Sequence, residues 1–248
     1  MPNTRLLILG TGEAFDTGVG NNSCLLLAPG ASVLFDCGYQ IPERLWLNAA
    51  YRKLDAVVFS HLHADHCFGI VPLLMRFWEE GRRAPFWIAG RRGTEKYVRE
   101  LFELGYPGLY RKLSFELKFK EVTAGDSWSW KKLRFRFAHT SHSVENLAAR
   151  IDGANWSLGV SGDGQLTKES RELFQNVDFL VHELYSLKPK TPVHCDFETL
   201  HEYISYSKVG RVGVTHHARS ERVALQRKIR TLRDPRWVAL KPGMEFRL

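Results

Sequence analysis

His61-Leu62-His63-Ala64-Asp65-His66 places four metal-ligating side chains within six positions. The cluster directly follows Ala56-Val57-Val58-Phe59, a short apolar run of the buried-strand kind that Ser60 closes. The ligands therefore sit in a loop at a strand end, where backbone turns can aim several side chains at one point. Neutral imidazole nitrogen and carboxylate oxygen are the donors that zinc and similar divalent ions take. A solvated polar turn is the bland alternative. It would suit an isolated His-x-His but not three His and an Asp packed this tightly.

One loop cannot bring four such ligands to one small ion with good geometry, so the motif points to two neighbouring metals and to further ligands elsewhere. Three candidates follow apolar strand patterns. His142 lies in Ala138-His139-Thr140-Ser141-His142-Ser143 after Leu133-Arg134-Phe135-Arg136-Phe137, and Asp163 in Ser161-Gly162-Asp163-Gly164 after Trp156-Ser157-Leu158-Gly159-Val160. His216 follows Val212-Gly213-Val214-Thr215. Polar residues just past apolar strands are the usual position for active-site groups in layered α/β proteins. Singly, each has a plain reading: a capped turn, an acid in a glycine-rich turn, a surface loop. Together with the first cluster they argue for one site.

With these residues in place, the chain resembles the metallo-β-lactamase fold superfamily, and within it the ribonuclease Z-like phosphodiesterase branch. The resemblance runs through Leu9-Gly10-Thr11-Gly12, Phe35-Asp36-Cys37-Gly38, the His61 to His66 cluster, His142-Ser143, Gly162-Asp163, Val181-His182-Glu183, His194 and Thr215-His216. It implies an α/β fold, an αββα four-layer sandwich, over residues 1–248 as one hydrolase domain. It also implies that His61, His63 and His142 hold one ion, that Asp65, His66 and His216 hold the other, and that Asp163 bridges them. Two divalent ions are expected, zinc first, with manganese or iron also compatible with His and Asp ligands. Such a pair activates water for in-line attack on a phosphodiester. His194, 22 residues before His216 as in ribonuclease Z, is expected to act on the phosphate as donor or general acid. Asp65 would double as ligand and proton acceptor. Glu183 and His182 are expected behind the ligands, with Glu183 orienting a catalytic or ligand His.

The pattern departs from ribonuclease Z in two places. Only 21 positions separate His142 from Asp163, room for two strands and a turn but not for the long arm that grips transfer RNA. Cys195 stands where the family usually has a small hydroxyl residue after the extra His. Fold and metal site carry over; transfer RNA processing does not.

At 248 residues and 44% hydrophobic, the chain is long enough for a sizeable core. No apolar run reaches the ~18–20 residues of a membrane span. Met1-Pro2-Asn3-Thr4-Arg5 leads into strand-like Leu6-Leu7-Ile8-Leu9 without a signal pattern. Cys24, Cys37, Cys67 and Cys195 lack Cys-x-x-Cys spacing and read as reduced, packed thiols, so a cytoplasmic location is expected. Cys67, beside the ligands, reads as helix-start packing rather than as a ligand. The net charge of +8 favours an anionic small-molecule or nucleotide substrate, RNA ends included, and with no apolar run long enough to span it no membrane partner is expected. Arg82-Arg83, Arg91-Arg92, Lys131-Lys132 and the basic residues from Arg219 to Arg236 are spread out, as on a solvated face. A dimer is compatible with the sequence, which does not fix the oligomeric state.

Further strands are expected near Arg5-Leu9, Ser23-Leu27, Val33-Phe35, Phe115-Phe119, Ala148-Ile151, Phe179-Val181 and Arg211-Thr215. A helix should follow Pro42, and another should bury Leu73, Leu74, Phe77 and Trp78. Thr94 is expected to cap a helix ended by Gly105, Asp196 or Thr199 one through Ser207, and Ser220 one through Leu232. Tyr106, Tyr110, Arg111, Lys112 and Phe115 read as a packed surface loop, with overhang of the site as the alternative. Two mainly antiparallel sheets between outer helices would account for this order. The function expected is a dinuclear hydrolase of small or cyclic phosphodiesters or RNA ends. Its rivals are an acyl hydrolase of the same fold (a lactonase or thioesterase) and a metal-dependent sensor with residual activity.

Overall fold

A computed structural model describes residues 4–248. Met1 to Asn3, which the sequence reading set ahead of the first strand, lie outside the described residues. The first half runs β1 (Arg5–Gly10), β2 (Ser23–Ala28), β3 (Ala31–Phe35), α1 (Ile41–Trp46), β4 (Ala56–Val58), α2 (Ala64–Cys67), α3 (Ile70–Glu79), β5 (Phe86–Arg91), α4 (Thr94–Gly105) and β6 (Leu117–Val122). The second half runs β7 (Ser127–Trp130), β8 (Leu133–Thr140), β9 (Asn146–Asp152), β10 (Ser157–Val160), α5 (Lys168–Leu173), β11 (Phe179–Glu183), α6 (Phe197–Tyr206), β12 (Arg211–Thr215), α7 (Arg222–Thr231), β13 (Trp237–Ala239) and β14 (Glu245–Arg247).

The strands form two seven-stranded sheets, ordered β14-β1-β2-β3-β4-β5-β6 and β13-β12-β11-β10-β9-β8-β7. Both are mixed rather than mainly antiparallel as expected. In the first, β14 through β3 pair antiparallel and β3 through β6 parallel. In the second, β7 through β10 pair antiparallel and β10 through β13 parallel. The parallel halves arise because α3, α4, α6 and α7 each return the chain to the start of the sheet, the crossover that parallel pairing requires.

Side-chain alternation along the strands builds three apolar layers. Leu6, Ile8, Val33, Phe135, Phe137, Ile151, Leu158, Phe179 and Val181 pack between the sheets. Leu25, Leu34, Val57 and Ile88 face Leu45, Leu73, Leu74, Phe77, Val98 and Phe102 of the helices over the first sheet. Leu180, Val212 and Val214 face Leu200, Tyr203, Ile204, Leu225 and Ile229 over the second. Helix, sheet, sheet and helix are thus the four layers of an αββα sandwich. With both faces of each sheet covered, strands such as Leu6 to Leu9 read as continuous apolar runs.

Several boundaries differ from expectation. Gly93, in the left-handed region at φ 85°, is the N-cap of α4, and the Thr94 hydroxyl instead donates to the Arg91 carbonyl. Asp196 does cap α6, accepting from the Thr199 amide at 3.0 Å. The last helix starts after Glu221, not at Ser220. The segment from Tyr106 to Phe115 packs against α3 and α4: Trp78 donates to the Lys112 carbonyl, and Tyr110 meets Phe102 edge-on. Among the described residues no helix is long and apolar enough to cross a membrane.

Candidate metal centre

The strand directions explain why distant residues converge. Strands β3 and β4 are parallel neighbours, as are β10, β11 and β12, so in each sheet their carboxyl ends share one edge. Strand β8 is separated from β10 by the antiparallel β9 and therefore ends on that edge too. The loops after β4, β8, β10 and β12 carry His61 to His66, His142, Asp163 and His216. Ser60, which opens the first loop, accepts from the Leu147 amide at 2.9 Å and ties the two sheets together there.

The predicted ligand residues meet in two groups. Nε2 of His61 lies 3.0 Å from Nδ1 of His63, which lies 3.4 Å from Nε2 of His142. In the second group, Nε2 of His66 is 3.2 Å from Oδ2 of Asp65 and 3.5 Å from Oδ2 of Asp163. Nε2 of His216 is 3.1 Å from that same Asp163 oxygen and 3.9 Å from Asp65 Oδ2. Asp163 also groups with His61 and His66, so it stands between the two sets. Within each set the ligand atoms lie within 4.8 Å of one another.

Several ligands are held from behind. The Asp36 carboxylate takes His66 Nδ1 at 2.8 Å while accepting from the amide and hydroxyl of Ser60 at 2.7 and 2.8 Å. Ser60 Oγ is 3.0 Å from His61 Nδ1, and His142 Nδ1 donates to the Val193 carbonyl at 2.9 Å. Asn146 accepts from the Asp163 amide and donates to Thr140 and to the Ser161 carbonyl. Asp36 and His216 adopt φ 57° and 53°, left-handed conformations that non-glycine residues enter at a cost and that cluster at functional sites. Asp36 had no role in the sequence reading beyond its motif. A carboxylate ending the apolar run Val33-Leu34-Phe35, as Asp163 follows another, was the available signal.

Glu183 is fully buried at the end of β11. Its Oε2 accepts from His194 Nδ1 at 2.8 Å and stands 3.3 Å from His216 Nδ1; its Oε1 accepts from the amides of Gly164 and Cys195. His182 does not join it. Consecutive residues of a strand face opposite ways, so His182 turns into the helix side of the sheet, 6.1 Å from Phe174, with Nδ1 on the Glu183 carbonyl. The expectation that both residues stand behind the ligands is corrected for His182. Cys67 is a packed thiol as expected, but it stands at the last residue of α2 rather than at a helix start, and donates to the His63 carbonyl.

Electrostatics divide the site. Burial and then the neighbouring His66 push His61 well below the ordinary imidazole range, and burial followed by His142 lowers His63, so these rings are neutral donors. In the other set burial is outweighed. Asp163 and Asp36 hold His66 well above its usual range, and Asp163, Asp65 and Glu183 raise His216 to about 10. Asp65, Asp163 and Glu183 are lowered against the opposing effect of burial by the imidazoles around them. Protons thus compensate buried carboxylates where a cation could. His66 Nε2, His216 Nε2 and Asp163 Oδ1 are buried without a hydrogen-bond partner of good geometry. Buried polar atoms are rarely left so, and convergent unpaired donors of these types fit divalent ions.

The two sheets, the outer helices and this strand-end cluster define a metallo-β-lactamase-fold protein. More particularly, a family model described as anti-Pycsar protein Apyc1 matches residues 4–228, and the chain belongs to that family. It is 31% identical over 145 residues to a ribonuclease Z of Methanosarcina mazei, a match covering 58% of this chain and 46% of that protein. The chain therefore spans less than half the length of that relative. It is 37% identical over 82 residues to the anti-Pycsar protein Apyc1 of Paenibacillus harenae, covering 33% of this chain and 34% of that one. The metallo-β-lactamase fold protein YhfI of Bacillus subtilis superposes with a TM-score of 0.83 over 100% of both chains at 19% identity.

Proposed function

We propose that this protein is a metal-dependent hydrolase of phosphodiesters, acting on a small or cyclic diester as its anionic substrate. The observation that carries the reading is His194. Its ring lies 5.0 Å from that of His142 and it comes within metal-ligating distance of Asp163, Glu183 and His216, while its Nδ1 donates to buried Glu183 and is not needed to complete either ligand set. The ribonuclease Z resemblance and the family membership support the same class of chemistry. In this reading His61, His63 and His142 hold one divalent ion, Asp65, His66 and His216 a second, with Asp163 between them. When bound, such a pair supplies Lewis acidity at phosphorus-bound oxygen and a water of lowered pKa.

The protein's own residues do the rest. Because the ionised Glu183 can only accept, His194 carries its proton on Nδ1, and Nε2 is the atom free to face substrate. Protonated there, His194 donates to a non-bridging oxygen and then to the leaving alkoxide. The Asp65 carboxylate, kept ionised against burial by its imidazole neighbours, accepts hydrogen bonds at the same face and orients the groups that exchange protons there. The basic charge of the chain raises the local concentration of an anionic substrate.

The test is hydrolysis of bis(p-nitrophenyl) phosphate and a 3′,5′-cyclic nucleotide, beside a panel of lactones and thioesters, after loading with zinc or manganese. Turnover of the diesters with inert acyl compounds is expected. The reverse pattern would replace this reading with an acyl hydrolase, and binding without turnover would replace it with a sensor.

A further inference from the structure

Strand periodicity places Glu183 and Tyr185 on the same side of the chain as it leaves β11, two residues apart. Both meet His194. Glu183 takes the Nδ1 proton, while the Tyr185 ring lies against the imidazole face, with centroids 4.3 Å apart and planes 16° from parallel. The hydrogen bond at Nδ1 holds one edge of the ring, and the tilt of its plane is left to whatever packs on its faces. A flat partner on one face closes that freedom, and the His142 ring, 5.0 Å away and steeply inclined, limits it further.

Tyr185 is itself anchored by main chain. Its amide donates to the Cys195 carbonyl at 2.8 Å, next to His194, and its carbonyl accepts from the Ala218 amide at 3.0 Å, just past His216. Its ring is 6.3 Å from that of His216. The residue is only partly buried, so it belongs to the wall beside the site rather than to the core. One aromatic side chain is therefore tied to both segments that carry the proton-handling and ligand histidines.

We propose that Tyr185 is the positioning residue for His194, its ring fixing the imidazole plane so that Nε2 is presented to the substrate phosphate. This rests on the role given to His194 above. The flat face does the work, so Tyr185→Phe should preserve the effect, while Tyr185→Leu and Tyr185→Ala should lose it. Misplacing a reacting group without removing it lowers kcat more than it raises KM.

The experiment uses zinc-loaded protein and two readouts. Ring signals of His194 in ¹H–¹³C and ¹H–¹⁵N spectra report how firmly the imidazole plane is held: one sharp set is expected in wild type and Tyr185→Phe, and exchange-broadened signals in Tyr185→Leu and Tyr185→Ala. Steady-state kinetics on the diester should show kcat within about threefold of wild type for Tyr185→Phe and about tenfold lower for Tyr185→Leu, with zinc content equal in all. Tyr185→Leu keeps the buried volume should Tyr185→Ala fail to fold. Equally sharp His194 ring signals together with unchanged kcat in Tyr185→Leu would overturn the proposal, as would an equal loss in Tyr185→Phe. A wild type inert toward every diester would instead defeat the proposed function, and the spectra would still judge Tyr185.

Discussion

Glu183 receives the Nδ1 proton of His194 at 2.8 Å with its carboxylate wholly enclosed, and the same oxygen stands 3.3 Å from His216. One buried anion thus orients a histidine assigned to the substrate and another assigned to a metal. His194→Ala should lower diester turnover by roughly 10²-fold with metal content unchanged, the scale of a lost general acid or donor. Glu183→Gln should lose turnover and also weaken metal binding by about 10- to 100-fold, because it disturbs His216 as well. Kinetics paired with metal analysis separate the two variants; loss of metal in His194→Ala would place that residue among the ligands instead.

The metal centre itself predicts two divalent ions per chain, and Asp163→Ala should fall to one or none in elemental analysis. Ions that bind only the folded protein stabilise it, so exhaustive chelation should lower the melting temperature and abolish diester turnover, both recovering on reloading. Protein that keeps only trace metal after reconstitution would defeat this assignment.

Much of this site was legible because its ligands are local. His61, His63, Asp65 and His66 come from one loop after a recognisable strand, and His142, Asp163 and His216 each follow another. What escaped depended on pairing and side-chain direction. His182 and Glu183 are adjacent in sequence, and only the pleat of β11 sends one into the core and the other to the site. Asp36 reaches His66 through a left-handed turn that composition does not reveal. Strand β5, in Phe86–Arg91, is hard to read from sequence because Pro85 and Gly90 bound an apolar run of only four residues, which its parallel neighbours stabilise. The last helix begins one residue later than its cap signal implies because Ser220 lies inside a turn closed by the Glu221 and Arg222 amides on the Ala218 carbonyl.

Gly38 is a tight point in the site's support. A methyl group there would overlap the Asp65 carbonyl oxygen and press on Asn21. Main chain cannot yield as a flexible side chain does, so Gly38→Ala should displace the ligand loop. Lower melting temperature and lower metal content are expected together, measured by calorimetry and elemental analysis. Native values for both would mean that the loop relaxes at no cost.

All four cysteines are buried. Burial raises the thiols of Cys24, Cys37 and Cys195 and pushes Cys67 up to about 12. The thiolate is the nucleophile, so its population at pH 8 is small at every position. Folded protein should react slowly with a thiol reagent at pH 8, and four thiols should titrate once it is denatured. Rapid modification of a thiol in the folded state would show that its site opens to solvent.

The span between His142 and Asp163 bears on RNA. Strands β9 and β10 fill it as an antiparallel hairpin, with Ala149 opposite Val160 and Ile151 opposite Leu158, and Gly153 closing the turn onto the Trp156 carbonyl. Every strand residue of that hairpin is paired in the second sheet and its turn is short, so this span projects no arm that could hold a folded RNA at a distance. The chain's positive charge still attracts a polyanion, but phosphate contacts alone weaken steeply with salt and set no register. A small diester needs only the strand-end site, and its turnover should survive at ~150 mM salt. Precursor transfer RNA should therefore be cut slowly and without a fixed 3′ end under the same conditions, as read by sequencing gels. Accurate 3′ cleavage at a rate matching the small diester would show that another surface of this protein supplies the register.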